Sequence, residues 1–196
     1  MSPANPADEA LIQQAYQQLQ EGQFEEAVDT FSASLLVEPR QPQALRGRGL
    51  AYMQLKQWQP AAADLTRAKE AEPDNPNNSI DLAVCLSMQN EIYPAIGLLE
   101  SLLARQPQCV RAHIELGFLH IRIGAITKGK SQLQEALKHR PALAERRLIE
   151  ATLAEQTKQD RQRYYRPDFE ALNQQLQDRP RPAWVSWIRK ALKLQD

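Results

Sequence analysis

Between residues 42 and 75, Leu45, Gly49 and Tyr52, then Ala61, Leu65 and Ala68, follow one another at steps of four and three residues. That spacing places each trio on one face of a helix. The small members allow close backbone approach and the larger ones fill the gap beside it, so the stretch predicts two short antiparallel helices. Pro73 closes it, because proline cannot continue a helix. Pro39, Pro107 and Pro141 stand with Pro73 on one 34-residue ruler, and the residues between them keep register. A fixed period in this range predicts a solenoid of stacked helix pairs.

On that ruler the first unit spans residues 8–41, with Leu11, Ala15, Gly22, Phe24, Ala27, Phe31, Ser34 and Pro39. Residues 1–7 are expected to form a mobile leader, with Asp8 as N-cap of the first helix. The third unit, 76–109, has Ala83, Leu86, Asn90, Ala95, Leu99, Leu102 and Pro107. The fourth, 110–143, has Leu116, Gly117, His120, Gly124, Ile126, Gly129, Leu133, Ala136 and Pro141. Asn90 is expected to take the left-handed turn conformation that glycine takes in the other units. A fifth helix over residues 144–158 is expected to cap the array, since the last unit otherwise leaves an apolar face wet. Residues 159–196 lose the period and read as a helical tail.

These motifs resemble the tetratricopeptide repeat over residues 8–158, with one departure at Gln18, where an aromatic residue is usual. The resemblance implies an all-α, right-handed solenoid whose first helix in each unit lines a concave face. Carried onto this chain, the inner positions are Ile12, Tyr16 and Leu19, then Arg46, Leu50 and Met53. The third and fourth units give Ile80, Val84 and Met88, then Ile114, Phe118 and Ile121, and the cap adds Leu148. These residues predict a mostly apolar groove, and a contiguous exposed apolar patch marks a binding site. Relatives that clamp the acidic C-terminal peptides of heat-shock chaperones use Lys, Asn and Arg at set positions. Here those positions hold Ile12, Tyr16, Gly47, Asn77 and Asp81, so no such clamp is expected. The groove instead suits an amphipathic helix or an extended apolar segment, and Met53 and Met88 lend it adaptability.

The tail carries a ligand of that kind. Trp184, Trp187, Ile188, Ala191 and Leu192 form one apolar stripe, with Arg189, Lys190 and Lys193 mostly off it. So short a helix is marginal alone in water. It is expected to dock on the chain's own groove or cap, on a partner protein, or at a membrane surface.

Composition narrows the function without naming it. Lys plus Arg and Asp plus Glu both number 24, so the net charge is zero and the simplest argument for nucleic acid is missing. Arg161, Arg163, Arg166, Tyr164 and Tyr165 form one local basic and aromatic stretch, read as a solvated linker in preference to a strand-binding patch. Cys85 and Cys109 are too few for a disulfide framework and are expected to be reduced. His113 and His120 occupy packing positions, and His139 has no ligand partner near it in sequence. There is no phosphate loop, metal-ligand cluster or nucleophile elbow. Neither a secretory signal nor a spanning segment is read, so the default compartment is cytoplasmic. The expectation is a non-enzymatic, cofactor-free adaptor or assembly factor for a protein or peptide partner. A secretion-type chaperone of apolar subunits and a peripheral membrane protein held by the tail are the alternatives.

Overall fold

The computed structural model describes residues 6–164, and these contain nine helices and no strand. In chain order they are α1 (Pro6–Glu21), α2 (Phe24–Val37), α3 (Pro42–Gln54), α4 (Trp58–Ala71), α5 (Pro76–Met88), α6 (Ile92–Arg105), α7 (Val110–Arg122), α8 (Ile126–Lys138) and α9 (Leu143–Tyr164). The chain divides into one unit ending at Leu153 and a second beginning at Ala154.

Each helix begins and ends where local chemistry requires. Pro42 and Pro76 open α3 and α5, where a missing N–H and a fixed φ do no harm. The Asn75 side chain caps α5 by accepting from the Asn77 N–H at 3.1 Å. Between the helices of a pair, the N–H groups of Gln23, Gln57, Glu91 and Ala125 each bond a carbonyl five residues back, at 2.9, 2.8, 2.9 and 2.9 Å. The residue before each has positive φ: Gly22 at 79°, Lys56 at 58°, Asn90 at 66° and Gly124 at 82°. These are Schellman caps, which satisfy the last carbonyls of the helix. Asn90 behaves as expected, but the second unit uses Lys56 where glycine was anticipated. The paired hydrogen bonds hold even a lysine left-handed there.

Within each pair the helices meet over a periodic core. Phe31, Leu65, Leu99 and Leu133 stand one period apart and are all fully buried, each contributing about 1.5–3 kcal/mol. Opposite them sit Ala15, Gly49, Ala83 and Gly117, whose size sets the helix separation. A Cβ on Gly49 would lie 2.8 Å from the Leu65 side chain, and one on Gly117 2.8 Å from Leu133. Asp8 corrects the expected start of α1. It lies inside the first turn, is buried, and accepts from Ser34 Oγ at 2.6 Å. It therefore ties α1 to α2 and does not cap.

The pairs stack because α1, α3, α5 and α7 touch in succession, while α2, α4 and α6 each pack against the odd-numbered helices on either side. The odd helices thus form an inner layer. Ile149 of α9 is fully buried against Ile114, Leu133 and Ala136, with Leu153 packed beside it, which closes the end of the fourth pair's core. α9 itself continues to Tyr164, through the second unit, where Gln159 donates to Glu155 at 3.2 Å.

Candidate functional site

One helical turn separates two registers on the inner layer. The first contains Ile12, Arg46, Ile80 and Ile114, each 34 residues from the next. Ile12, Ile80 and Ile114 are only 4%, 1% and 4% exposed. This corrects the expectation that they line an open groove: their side chains turn into the seams between helices, where a partner has no access. Helix rotation decides this, and the repeat spacing alone does not fix it.

Arg46 departs from its three counterparts by reaching across to the next pair. Its Nε donates to Asp81 Oδ2 at 2.7 Å, and Arg111 Nη2 donates to Asp81 Oδ1 at 2.7 Å. Arg111 Nη1 also contacts Asn77 Oδ1 at 3.4 Å. One carboxylate from α5 thereby holds guanidinium groups from α3 and α7. The Asp81 side chain is 2% exposed, against 26% for Arg46 and 42% for Arg111. Beside them, burial raises the Glu115 carboxyl above its ordinary value, with Arg111 pulling the other way. Tyr16 donates to the Gln43 carbonyl at 3.0 Å, and burial likewise raises its hydroxyl despite Arg46 nearby.

The second register is apolar in every unit. Tyr16, Leu50, Val84 and Phe118 stand 34 residues apart, and all are half-buried. Tyr16 packs edge-on against Phe31 with ring centres 5.1 Å apart. Leu19, Met53 and Ile121 lie three residues further on and are also half-buried. Met88 and Leu148 are open, at 54% and 51% exposure. Arg122 sits at the end of this register and donates to the Ser87 carbonyl at 3.0 Å. The inner face is therefore two lanes, one charged and one apolar, where a single apolar groove was expected. Sequence reasoning treated Arg46 as one more groove position and did not connect it to Asp81 and Arg111. The signal was present: charges 35 and 30 residues apart become neighbours once a 34-residue repeat stacks helix on helix.

The residues weighed for chemistry have structural roles. His113 is buried, its ring nitrogens 2.7 Å from Gln132 Oε1 and 2.9 Å from the Pro107 carbonyl, and it stacks on His139 at 5.8 Å. His120 is buried, with its Nδ1 unpartnered, and burial lowers its pKa. Cys85 and Cys109 are free thiols, and burial raises Cys85 further from the reactive range. Among the described residues no group of His, Cys, Asp or Glu is arranged to hold a metal, and no helix is long and apolar enough to cross a membrane. Trp184, Trp187, Ile188, Ala191 and Leu192 lie outside the described residues, as do Tyr165 and Arg166.

Stacked helix pairs with this period, these caps and this small-residue register define a tetratricopeptide repeat fold. The family described as tetratricopeptide repeat matches residues 12–79 of the chain. Among solved structures the chain is similar to MamA from Desulfovibrio magneticus RS-1, at 20% identity over 80% of this chain and 94% of that one, with a TM-score of 0.63. It is similar also to TTC0263, a thermophilic TPR protein of Thermus thermophilus, at 17% identity over 68% and 74% of the two chains and a TM-score of 0.62. A third likeness is the first TPR of Spaghetti (RPAP3) bound to the HSP90 peptide SRMEEVD, at 19% identity over 60% and 93%, with a TM-score of 0.56. Among curated protein sequences nothing matches.

Proposed function

We propose that this protein is a non-enzymatic adaptor or assembly factor of the cytoplasm that holds an apolar or amphipathic segment of a partner protein along its inner face. The observation that carries the reading is the apolar lane, Tyr16, Leu50, Val84 and Phe118 with Met53, Met88 and Ile121 beside it, repeated in all four helix pairs. Rows of partly exposed large side chains on a rigid scaffold offer anchor sites to a helix or strand. A structure of similar fold carrying a bound peptide supports a peptide- or protein-binding role in general. Residues 183–194 would act as an intramolecular competitor for the lane, since the spacing of Trp184, Trp187, Ile188, Ala191 and Leu192 suits the same kind of ligand.

Leu50→Glu with Phe118→Glu is expected to abolish capture of partner while helix content survives. Capture that persists in this double variant would remove the apolar lane as the site. The tail is tested separately by amide exchange on the intact chain and on one truncated after Asp160. Protection of residues 183–194 and new exposure of the lane on truncation are expected. A tail that exchanges freely would end its regulatory role, and flotation with liposomes would then ask whether it serves a membrane surface.

A further inference from the structure

The repeat supplies its own control on the outer side of the molecule, where α2 departs from α4, α6 and α8. Leu36 and Val37, in the last turn of α2, are 86% and 62% exposed. One period on, the same two positions hold Glu70 and Ala71, then Ala104 and Arg105, then Lys138 and His139. The open apolar pair therefore belongs to the first unit and not to the fold. Leu36 borders an open cavity of about 460 Å³, walled by Ala33, Leu35 and Pro39 on its own side and reached by Arg48 and Arg67 from the other. Large apolar groups gathered at a cavity mark a docking surface, unlike a leucine exposed singly. The outward charges of α2 are all of one sign. Glu25, Glu26 and Asp29 are exposed, and residues 24–37 contain no Lys or Arg. Among the described residues none of these three acids is in an ion pair. Glu25 and Glu26 precede Asp29 by four and three residues, the spacing at which like charges repel on a helix surface. Their counterparts are Gln59, Pro60 and Ala63, then Tyr93, Pro94 and Gly97, then Thr127, Lys128 and Ser131, with no acid among them. The bases nearby are committed elsewhere. Arg48 donates to the two Asp64 oxygens at 2.7 and 2.9 Å and to Ser32 Oγ at 3.0 Å. Arg67 donates to the Pro39 carbonyl at 2.6 Å and lies 3.8 Å from Asp64, and Arg40 shares a separate pocket with Glu70.

We propose that the outer face of α2 is a docking surface for a basic amphipathic helix of a partner protein. The apolar side chains of that helix cover Leu36, Val37 and the cavity beside them, and its lysine or arginine side chains neutralise Glu26 and Asp29. The order of features along α2 fixes the order along the ligand. Acids occupy the first two turns of α2 and the open apolar pair the last. Asp29 and Leu36 are about 10 Å apart at 1.5 Å of rise per residue, so the ligand carries its bases about two turns from its large apolar residues. Charge decides between ligands of equal apolar area: a basic one relieves the repulsion among Glu25, Glu26 and Asp29, a neutral one leaves it, and an acidic one adds to it. This surface goes beyond the inner-face reading and does not depend on it, since α2 lies outside the inner layer.

The probe is a set of acetylated, amidated helical peptides of about 14 residues, with leucine and tryptophan at one end and Lys, Gln or Glu about two turns away. Binding to the full-length protein is read by fluorescence anisotropy at low ionic strength. The Lys peptide is expected to bind about tenfold tighter than the Gln peptide, with Glu weakest and the difference shrinking as salt is added. Leu36→Gln with Val37→Gln, at positions too open to matter for folding, is expected to weaken the Lys peptide by about tenfold or more. Glu26→Gln with Asp29→Asn is expected to bring the Lys peptide within about twofold of the Gln peptide. The inner-face variant, Leu50→Glu with Phe118→Glu, is expected to bind the Lys peptide as the unmodified protein does. Binding lost in that variant and kept in Leu36→Gln with Val37→Gln would put the peptide on the inner face, which overturns the outer surface and leaves the inner-face reading standing. Equal binding of the Lys and Gln peptides overturns the proposal. So does no binding by the Lys peptide, the result that cover by the chain's own Arg189, Lys190 and Lys193 would give. Sedimentation is the last check: a dimer that dissociates in Leu36→Gln with Val37→Gln assigns the face to a second copy and overturns a partner protein as its occupant.

Discussion

The charged lane, on α3, α5 and α7, and the apolar lane, on all four inner helices, are held in different ways. The apolar lane is half-open to water and its members lie at the edges of packed cores, Phe118 against the cluster of Ile114, Leu133, Ala136 and Ile149, and Tyr16 against Phe31 with its hydroxyl on the Gln43 carbonyl. The charged lane is shared, because Asp81 belongs to one helix pair and its two arginines to the pairs on either side. The difference teaches where stability and recognition separate. A side chain in the apolar lane can change with little consequence for the fold, whereas a change in the charged lane is felt in three helix pairs.

The largest effect should come from stripping Asp81 of its partners. Arg46→Met with Arg111→Met keeps the side-chain stems and removes both charges, leaving a buried carboxylate unpaired. A loss of about 3 kcal/mol of unfolding free energy is expected. Adding Asp81→Asn should recover most of it. Leu50→Ala, the matched change in the apolar lane, should cost about 1 kcal/mol because the side chain is only half-buried. Denaturant titrations of the four proteins make the comparison. Equal losses in the two lanes would end the distinction.

Next in size is Gly49→Leu. The backbone of α3 lies so close to α4 that even a Cβ at this position would meet Leu65 at 2.8 Å. Overpacking should lower stability by about 1–3 kcal/mol and shift Leu50 with it. An unchanged melting temperature would mean that the helix pair is not closely packed at this register, and the rigid support argued for the apolar lane would fall with it.

A smaller effect concerns pH. His120 sits beside Ile121 on α7, and its burial favours the neutral ring, so its folded pKa lies below the ordinary 6.5. The unfolded chain therefore takes up the proton first as pH falls. Stability attached to this group is present above 6.5 and is lost as pH drops through that value toward the lowered one. His120→Leu should gain on the unmodified protein between about pH 7.5 and about pH 5.5, with little difference at the upper end. A stability difference that stays constant across this range would show that the ring does not resist protonation in the folded state.

The fold was legible in the sequence because its determinants are local and repeat: a proline after each second helix, a small residue facing Phe31, Leu65, Leu99 or Leu133, and a turn residue at Gly22, Asn90 and Gly124. The face was legible only in part. Tyr16, Leu50, Val84 and Phe118 follow from the period, and each is half-buried. Ile12, Ile80 and Ile114 were assigned to the same open surface, but a rotation within the helix turns them inward, and hydropathy cannot report the sense of that rotation. The charged lane was hidden for another reason. Its members look ordinary within any single unit, and their meaning comes from stacking Arg46 against Asp81 and Asp81 against Arg111 across unit boundaries.

Lys56 shows that a local rule can also be overridden locally. At the equivalent turns the chain places Gly22, Asn90 and Gly124, while Lys56 adopts φ of 58° with both Schellman bonds formed: its own N–H to the Met53 carbonyl at 3.0 Å, and that of Gln57 to Tyr52 at 2.8 Å. A left-handed conformation costs a residue with a Cβ about 1–2 kcal/mol, part of which glycine returns through its greater freedom when unfolded. Lys56→Gly should therefore raise stability by about 1 kcal/mol and the melting temperature by about 2–4 °C. The turn joins α3, which carries both Arg46 and Leu50, to α4, so a gain here would firm both lanes together. Differential scanning calorimetry would detect it, and an unchanged or lower melting temperature would mean that the lysine side chain makes a compensating contact with the turn.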